Sequence, residues 1–213
     1  MARDAVFADR VDAGKRLAIA LTALDLPGDA LVCGIPRGGI VVAAEVARVL
    51  ELPLRAIIAR KVGAPRQAEL AVGAVGPGGE PVLDDDLLRR VGATPEWIEA
   101  AVARARGEIA ERVADFPKVV DVAAVAEGTV VVVDDGVATG STAAAAGRWL
   151  GHAGTSRRVL ALPVGPSDTL ERLRSDYDEV LALAEPAGFF AVGQWYRNFD
   201  QVTDDEVRRL LSS

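Results

Sequence analysis

The chain has 213 residues, with 24 Lys and Arg against 31 Asp and Glu, a net charge of −7 and a pI near 4.9. That balance excludes a surface built mainly for nucleic acid, while a local basic pocket for a phosphorylated small molecule stays open. Half of the residues are hydrophobic and 26% are charged, the profile of a soluble globular protein. One cysteine, Cys33, and one histidine, His152, rule out an internal disulfide and a Cys/His zinc site. Met1 to Arg10 carries two arginines and two aspartates with no long apolar stretch, so no signal peptide is expected. No run approaches the ~20 apolar residues that span a bilayer, and a cytoplasmic protein is expected.

In chain order, Ala5 to Leu24 has the periodicity of an amphipathic helix, ended by Pro27 and Gly28. Ala30 to Gly34 is a short buried strand, and Gly39 to Leu50 a helix with Val42, Val46 and Val49 on one face. Leu54 to Arg60 and Leu70 to Val75 are further strands, joined by a polar loop, Val62 to Glu69. Gly76 to Gly79 is a tight turn before a strand at Pro81 to Leu83. Thr94-Pro95 caps a helix that Pro117 stops, and Val119 to Gly128 connects it to Thr129 to Val133, a strand of four successive valines. A helix from Ser141 to Leu150, strands at Arg157 to Pro163 and Asp178 to Glu185, a helix between them and a last helix at Thr203 to Leu211 complete the pattern. Strands alternating with helices predict an α/β fold with a mainly parallel sheet flanked by helices. A single domain over 1–213 is expected, with an insertion over 76–128.

The chemistry concentrates at Val130 to Thr142, VVVVDDGVATGST. Ligands of open parallel sheets bind at the carboxyl ends of strands, where Asp134 and Asp135 stand. Gly136 and Gly140 let backbone amides approach a ligand, Thr139, Ser141 and Thr142 supply hydroxyls, and the following helix offers unpaired N–H groups. Such a turn binds a phosphate without a lysine. The two carboxylates suit vicinal sugar hydroxyls.

This stretch resembles the phosphoribosyl-pyrophosphate motif of the type I phosphoribosyltransferases: a hydrophobic strand, two acidic residues and a T-G-x-T turn. The resemblance implies that fold, with a small hood, and that Asp134 and Asp135 hold the ribose hydroxyls. It implies that Gly136, Val137, Ala138, Thr139, Gly140, Ser141 and Thr142 form the ribose 5-phosphate site, with Ala138 to Thr142 wrapping the phosphate. Gly136 departs from the aliphatic residue many members carry, which is expected to loosen the turn. Cys33-Gly34-Ile35-Pro36-Arg37-Gly38-Gly39 follows a strand and opens a helix. The family has a pyrophosphate loop there, often with a cis peptide, so Pro36, Arg37, Gly38 and Gly39 are candidate pyrophosphate ligands. Arg60 and Lys61 resemble the R-K that precedes the flexible loop of orotate phosphoribosyltransferases, which makes Lys61 a candidate catalytic residue and both candidate pyrophosphate ligands. The loop after them has Arg66 as its sole basic residue.

The activity implied is transfer of a 5-phosphoribosyl group from phosphoribosyl pyrophosphate to an acceptor, with release of pyrophosphate. Magnesium is implied, reached by Asp134 and Asp135 directly or through water. Ala138 stands where enzymes acting on hypoxanthine and guanine carry an aspartate, which argues against a 6-oxopurine. Phe190, Trp195, Tyr196 and Arg197 are candidates for an acceptor hood built from 1–28 and 186–213. FADR near the start and AVGQWY near the end resemble a bacterial group of phosphoribosyltransferase-domain proteins without a single assigned acceptor. A homodimer is common among relatives. The alternatives are a non-catalytic regulatory protein that senses a nucleotide or the donor, and hydrolytic phosphate chemistry, for which no nucleophile–histidine pair is evident.

Overall fold

The computed structural model describes residues 6–212; residues 1–5 of the expected hood, the first residue of the expected N-terminal helix and Ser213 lie outside them. In chain order come α1 (Arg10–Leu21), β1 (Leu31–Gly34), α2 (Gly38–Leu50) and β2 (Leu54–Ala56). The strands β3 (Arg60–Ala64), β4 (Gln67–Val75) and β5 (Pro81–Leu83) lead to α3 (Asp85–Arg90), α4 (Pro95–Asp115) and α5 (Val122–Val125). Then follow β6 (Thr129–Val133), α6 (Ser141–His152), β7 (Arg157–Val164), α7 (Ser167–Leu173), β8 (Glu179–Ala184) and α8 (Asp204–Ser212).

Five strands form a parallel sheet in the order β2-β1-β6-β7-β8. Because every strand is covered on both faces, successive residues bury alternately on opposite sides. Leu31, Cys33, Val130, Val132, Leu160 and Leu162 pack against α6 and α7, while Val32, Val131, Val133, Val159 and Ala161 pack against α1 and α2. The winding reverses between β1 and β6, and such a switch point opens a crevice beyond the carboxyl ends of the two strands. Register sharpens this placement. Gly34 pairs with Val133, and Ile35 N–H donates to the Val133 carbonyl at 2.9 Å, so the loops after β1 and β6 leave the sheet side by side.

A second, antiparallel sheet, β3-β4-β5, packs against α6 and against α4. Val62, Ala64, Val72 and Val75 meet Val102, Ala105 and Ile109 of α4 there. The run Leu54 to Arg60 is therefore not one strand: pairing with β1 stops at Ala56, and Ile57, Ile58 and Ala59 are buried as a link between sheets. Val62 to Glu69 is a hairpin rather than a loop, turning at Pro65-Arg66, where Arg66 has φ 62. Proline followed by a positive φ is the pattern of a type II turn. The N-terminal helix starts only at Arg10, because Asp9 is its cap and accepts from the Asp12 N–H.

Candidate active site

At the switch point, Asp134 and Asp135 follow the last valine of β6, both partly buried. The Asp135 N–H donates to Asp134 Oδ1 at 2.8 Å, and Arg10 Nε donates to Asp135 Oδ2 at 2.8 Å. Burial raises both carboxyls above the ordinary aspartate range. The Asp135 charge pushes Asp134 further up, whereas Arg10 pulls Asp135 back down. Arg10 is hydrogen-bonded to one of these two adjacent, partly buried carboxylates, and a ligand bringing hydroxyl donors or a cation would offset the cost of burying both.

Beyond the pair the chain makes a tight turn into α6. Gly136 has φ 145 and Gly140 has φ 71. Gly136 does not loosen the turn: a Cβ there would lie 2.7 Å from Val192 Cγ1 and 3.0 Å from the Val164 carbonyl oxygen. Its backbone and its packing both call for glycine. Val137 is buried in the core and its N–H donates to the Val164 carbonyl, so its role in the turn is to anchor it. Ala138 and Thr139 are exposed, and the Ala138 carbonyl accepts from Thr169 Oγ1 at 2.9 Å. Gly140 caps α6 without a side-chain hydrogen bond, leaving first-turn amides beside Ser141 and Thr142 for an anion.

The loop after β1 lies directly on the acidic pair. Its Pro36–Arg37 peptide bond is cis. A Cβ on Gly38 would fall 1.9 Å from Asp135 Oδ2, and one on Gly39 would fall 2.8 Å from the Asp134 Cα. Sequence segments about a hundred residues apart therefore form one surface: acidic pair in the middle, a small-residue turn on one side and the Pro-Arg loop on the other. A phosphoribosyl transferase domain model matches residues 11–193, spanning all of these pieces.

The chain belongs to the phosphoribosyltransferase family. It is 45% identical over 207 residues to a Mycobacterium tuberculosis protein, Rv0571c, that bears the provisional name phosphoribosyl transferase. That alignment covers 97% of this chain but 46% of the relative, so the chain spans about half the length of the curated relatives it matches. The crystal structure of TT1426 from Thermus thermophilus superposes with a TM-score of 0.86 at 44% identity, covering 96% of this chain and 97% of that one.

Within this phosphoribosyltransferase fold the remaining candidates fall into two groups. Arg37 stays at the loop, its Nη1 3.8 Å from Asp204 Oδ1 of α8, and Arg112 Nη1 of α4 reaches the same oxygen at 3.2 Å. Arg60 is turned away to α4, with Nε 3.2 Å from Glu108 Oε2. Lys61 pairs in register with Ala74, which packs in the core with α6. Lys61 also borders a cleft of about 470 Å³ between the hairpin and α4, lined in part by Arg66, Trp97 and Arg104.

Two of the expected hood residues sit elsewhere than on a stacking surface. Trp195 and Tyr196 are 4% and 5% exposed and pack with Phe7, Phe189 and Phe199. The Tyr196 hydroxyl donates to the Asp135 carbonyl at 2.5 Å, and burial followed by the Asp135 charge pushes its pKa up, keeping it protonated. Phe190, 89% exposed, and Arg197 remain open to solvent. Arg112 and Asp204 were not singled out from sequence, and Arg10 entered only as the last residue of FADR, with no role given to it. Arg10 had one local signal: it is the first residue of α1, where the helix dipole disfavours a cation, so something outside the helix holds it there.

Proposed function

We propose that the protein is a magnesium-dependent phosphoribosyltransferase that moves the 5-phosphoribosyl group from phosphoribosyl pyrophosphate to a small-molecule acceptor and releases pyrophosphate. The observation that carries this reading is the juxtaposition of Asp134 and Asp135 with the Ala138–Thr142 turn and the cis Pro36–Arg37 loop at one switch point. Asp134 and Asp135 accept hydrogen bonds from the vicinal ribose hydroxyls. Amides of Ala138 to Thr142 and the start of α6 hold the 5-phosphate. Arg37 with Gly38 and Gly39 binds the pyrophosphate, joined by Lys61 from β3.

In the reaction the bond from C1 of the ribose to the pyrophosphate oxygen breaks, and a lone pair of the acceptor forms the new bond at C1. Holding the donor at both phosphate ends fixes C1, and cations on the leaving group stabilise its growing charge. Among the described residues no three His, Cys, Asp or Glu side chains converge as a metal cage. The two adjacent carboxylates of Asp134 and Asp135 fit magnesium, an ion that keeps several waters and binds through one or two carboxylates plus substrate oxygens. When bound, it would neutralise charge on the departing pyrophosphate. For the acceptor, Ala138 disfavours a 6-oxopurine, and Phe190 and Arg197 remain the exposed aromatic and cationic groups of the C-terminal hood segment.

The test is pyrophosphate release from the donor with magnesium across a panel of nucleobases, other heterocycles and amines. Turnover by the wild type and its loss in Asp134→Asn/Asp135→Asn are expected. Normal turnover by that double variant would refute the role given to the carboxylates.

A further inference from the structure

Asp135 is held by the two ends of the chain at once. Arg10, at the start of α1, lays its guanidinium 3.8 Å over the Phe199 ring and donates from Nη1 to the Asp200 carbonyl at 2.8 Å, leaving Nε to meet Asp135 Oδ2. Tyr196 holds the Asp135 carbonyl, and the Asp135 N–H is spent on Asp134 Oδ1. The Arg10 and Asp135 side chains are 11% and 14% exposed. A surface ion pair between two flexible chains holds little; a guanidinium fixed at three points is a rigid donor.

We propose that Arg10 is a positioning residue for the phosphoribosyl donor, an inference that rests on the phosphoribosyltransferase reading above. By pinning Oδ2 of Asp135, it leaves the other oxygen of that carboxylate, alongside Oδ2 of Asp134, for the ribose hydroxyls. The Pro-Arg loop rests on the same contact, since a Cβ on Gly38 would lie 2.8 Å from Arg10 Nε as well as 1.9 Å from Asp135 Oδ2. Losing the guanidinium removes a cation bonded to one of two adjacent carboxylates and frees Asp135 to turn away from its neighbour. Arginine rather than lysine is required, because one ammonium cannot lie on Phe199 while bonding both Asp135 and the Asp200 carbonyl in the same geometry.

The test is calorimetric titration of phosphoribosyl pyrophosphate, with magnesium, into the wild type, Arg10→Met, Arg10→Lys, Asp135→Ala and Arg10→Met/Asp135→Ala, with a thermal melt of each. Arg10→Met is expected to weaken donor binding about 10- to 100-fold, the loss of one charge-assisted hydrogen bond, and Arg10→Lys to recover part of it. In the Asp135→Ala background, which leaves no side-chain acceptor for Arg10 Nε, the Arg10 substitution is expected to cost nothing more, since Arg10 acts through Asp135. A purely structural arginine would instead lower affinity by the same factor in both backgrounds. Donor affinity in Arg10→Met within twofold of wild type, or losses that multiply in the double variant, would overturn the proposal. Should Arg10→Met fail to fold, Arg10→Lys decides: unchanged affinity overturns it, and a several-fold loss confined to the Asp135 background supports it. If the wild type itself binds no donor, the phosphoribosyltransferase reading fails and the inference falls with it.

Discussion

Gly136→Ala is expected to destabilise the protein by a mechanism that can be worked out atom by atom. The residue has φ 145, a region that side chains with a Cβ rarely occupy, and forcing one there costs about 1–3 kcal/mol. The new methyl would stand 2.7 Å from Val192 Cγ1 and 2.9 Å from Val164 Cγ1. Val164 ends β7 and is fully buried, and its carbonyl already takes the Val137 N–H, so it has little room to retreat. Overpacking of that kind adds about 1–3 kcal/mol. Together these come to about 2–6 kcal/mol, and for a chain of this size each kcal/mol moves Tm by about 2–4 °C, so a fall of roughly 4–24 °C is expected. Differential scanning calorimetry reads it directly, with Gly28→Ala as the companion variant: its Cβ would meet nothing within 4 Å, and its effect is expected within about 1 kcal/mol. A Tm drop in Gly136→Ala no larger than that of Gly28→Ala would refute both the strain and the packing arguments.

Tyr196→Phe removes the hydroxyl that satisfies the Asp135 carbonyl and is expected to cost about 1–2 kcal/mol in thermal unfolding, because a part-buried acceptor loses its donor. Donor affinity is expected to fall with it; a change confined to acceptor affinity would instead restore Tyr196 to the acceptor surface. Asp204→Asn releases Arg37 and Arg112 from their shared carboxylate and is expected to strengthen binding of inorganic pyrophosphate by about fivefold at low salt, a surface-pair energy, as measured by calorimetry. Weaker binding would show that Asp204 orients the arginines more than it competes for them. Arg158 holds the Asp178 carboxyl below its ordinary value of 3.8 through side-chain hydrogen bonds. A pKa depressed in the folded state stabilises above the unfolded pKa, and that contribution is lost as pH falls. The stability difference between wild type and Arg158→Met, read by urea unfolding, is therefore expected to be present at neutral pH and to shrink below about pH 4, with a small size because Asp178 is 44% exposed. A difference that grows on acidification would contradict the sign.

The parallel core and the placement of the acidic pair before a small-residue turn were legible in the sequence because both depend on local chemistry. Four valines before Asp134 read as a buried strand, and Gly136 and Gly140 on either side of Thr139 read as a turn into a helix. The Pro36–Arg37 loop was legible for the same reason. What stayed hidden depends on partners distant along the chain. Ile57 to Ala59 are as apolar as β2, and nothing local says that burial continues there while pairing stops. Trp195 and Tyr196 have the composition of a stacking surface; that they turn inward is decided by Phe7, almost two hundred residues away. Arg10 and Asp135 are separated by 125 positions, and no spacing rule connects them.

That separation has a consequence for how the protein is made. Phe7 N–H donates to the Trp195 carbonyl, and the Arg197 and Asn198 amides donate to the carbonyls of Phe7 and Ala8, so the start of the described chain is stitched to a segment near its end. Contacts this remote in sequence form late, because the intervening chain must be closed before they return any energy. A nascent chain can assemble β6 and its acidic pair well before residues 195–200 leave the ribosome, but it has nothing to tie the Phe7–Arg10 segment against them. On the proposed donor-binding role, a chain ending at 190 is therefore expected to bind the donor far more weakly than one that includes residues 191–213.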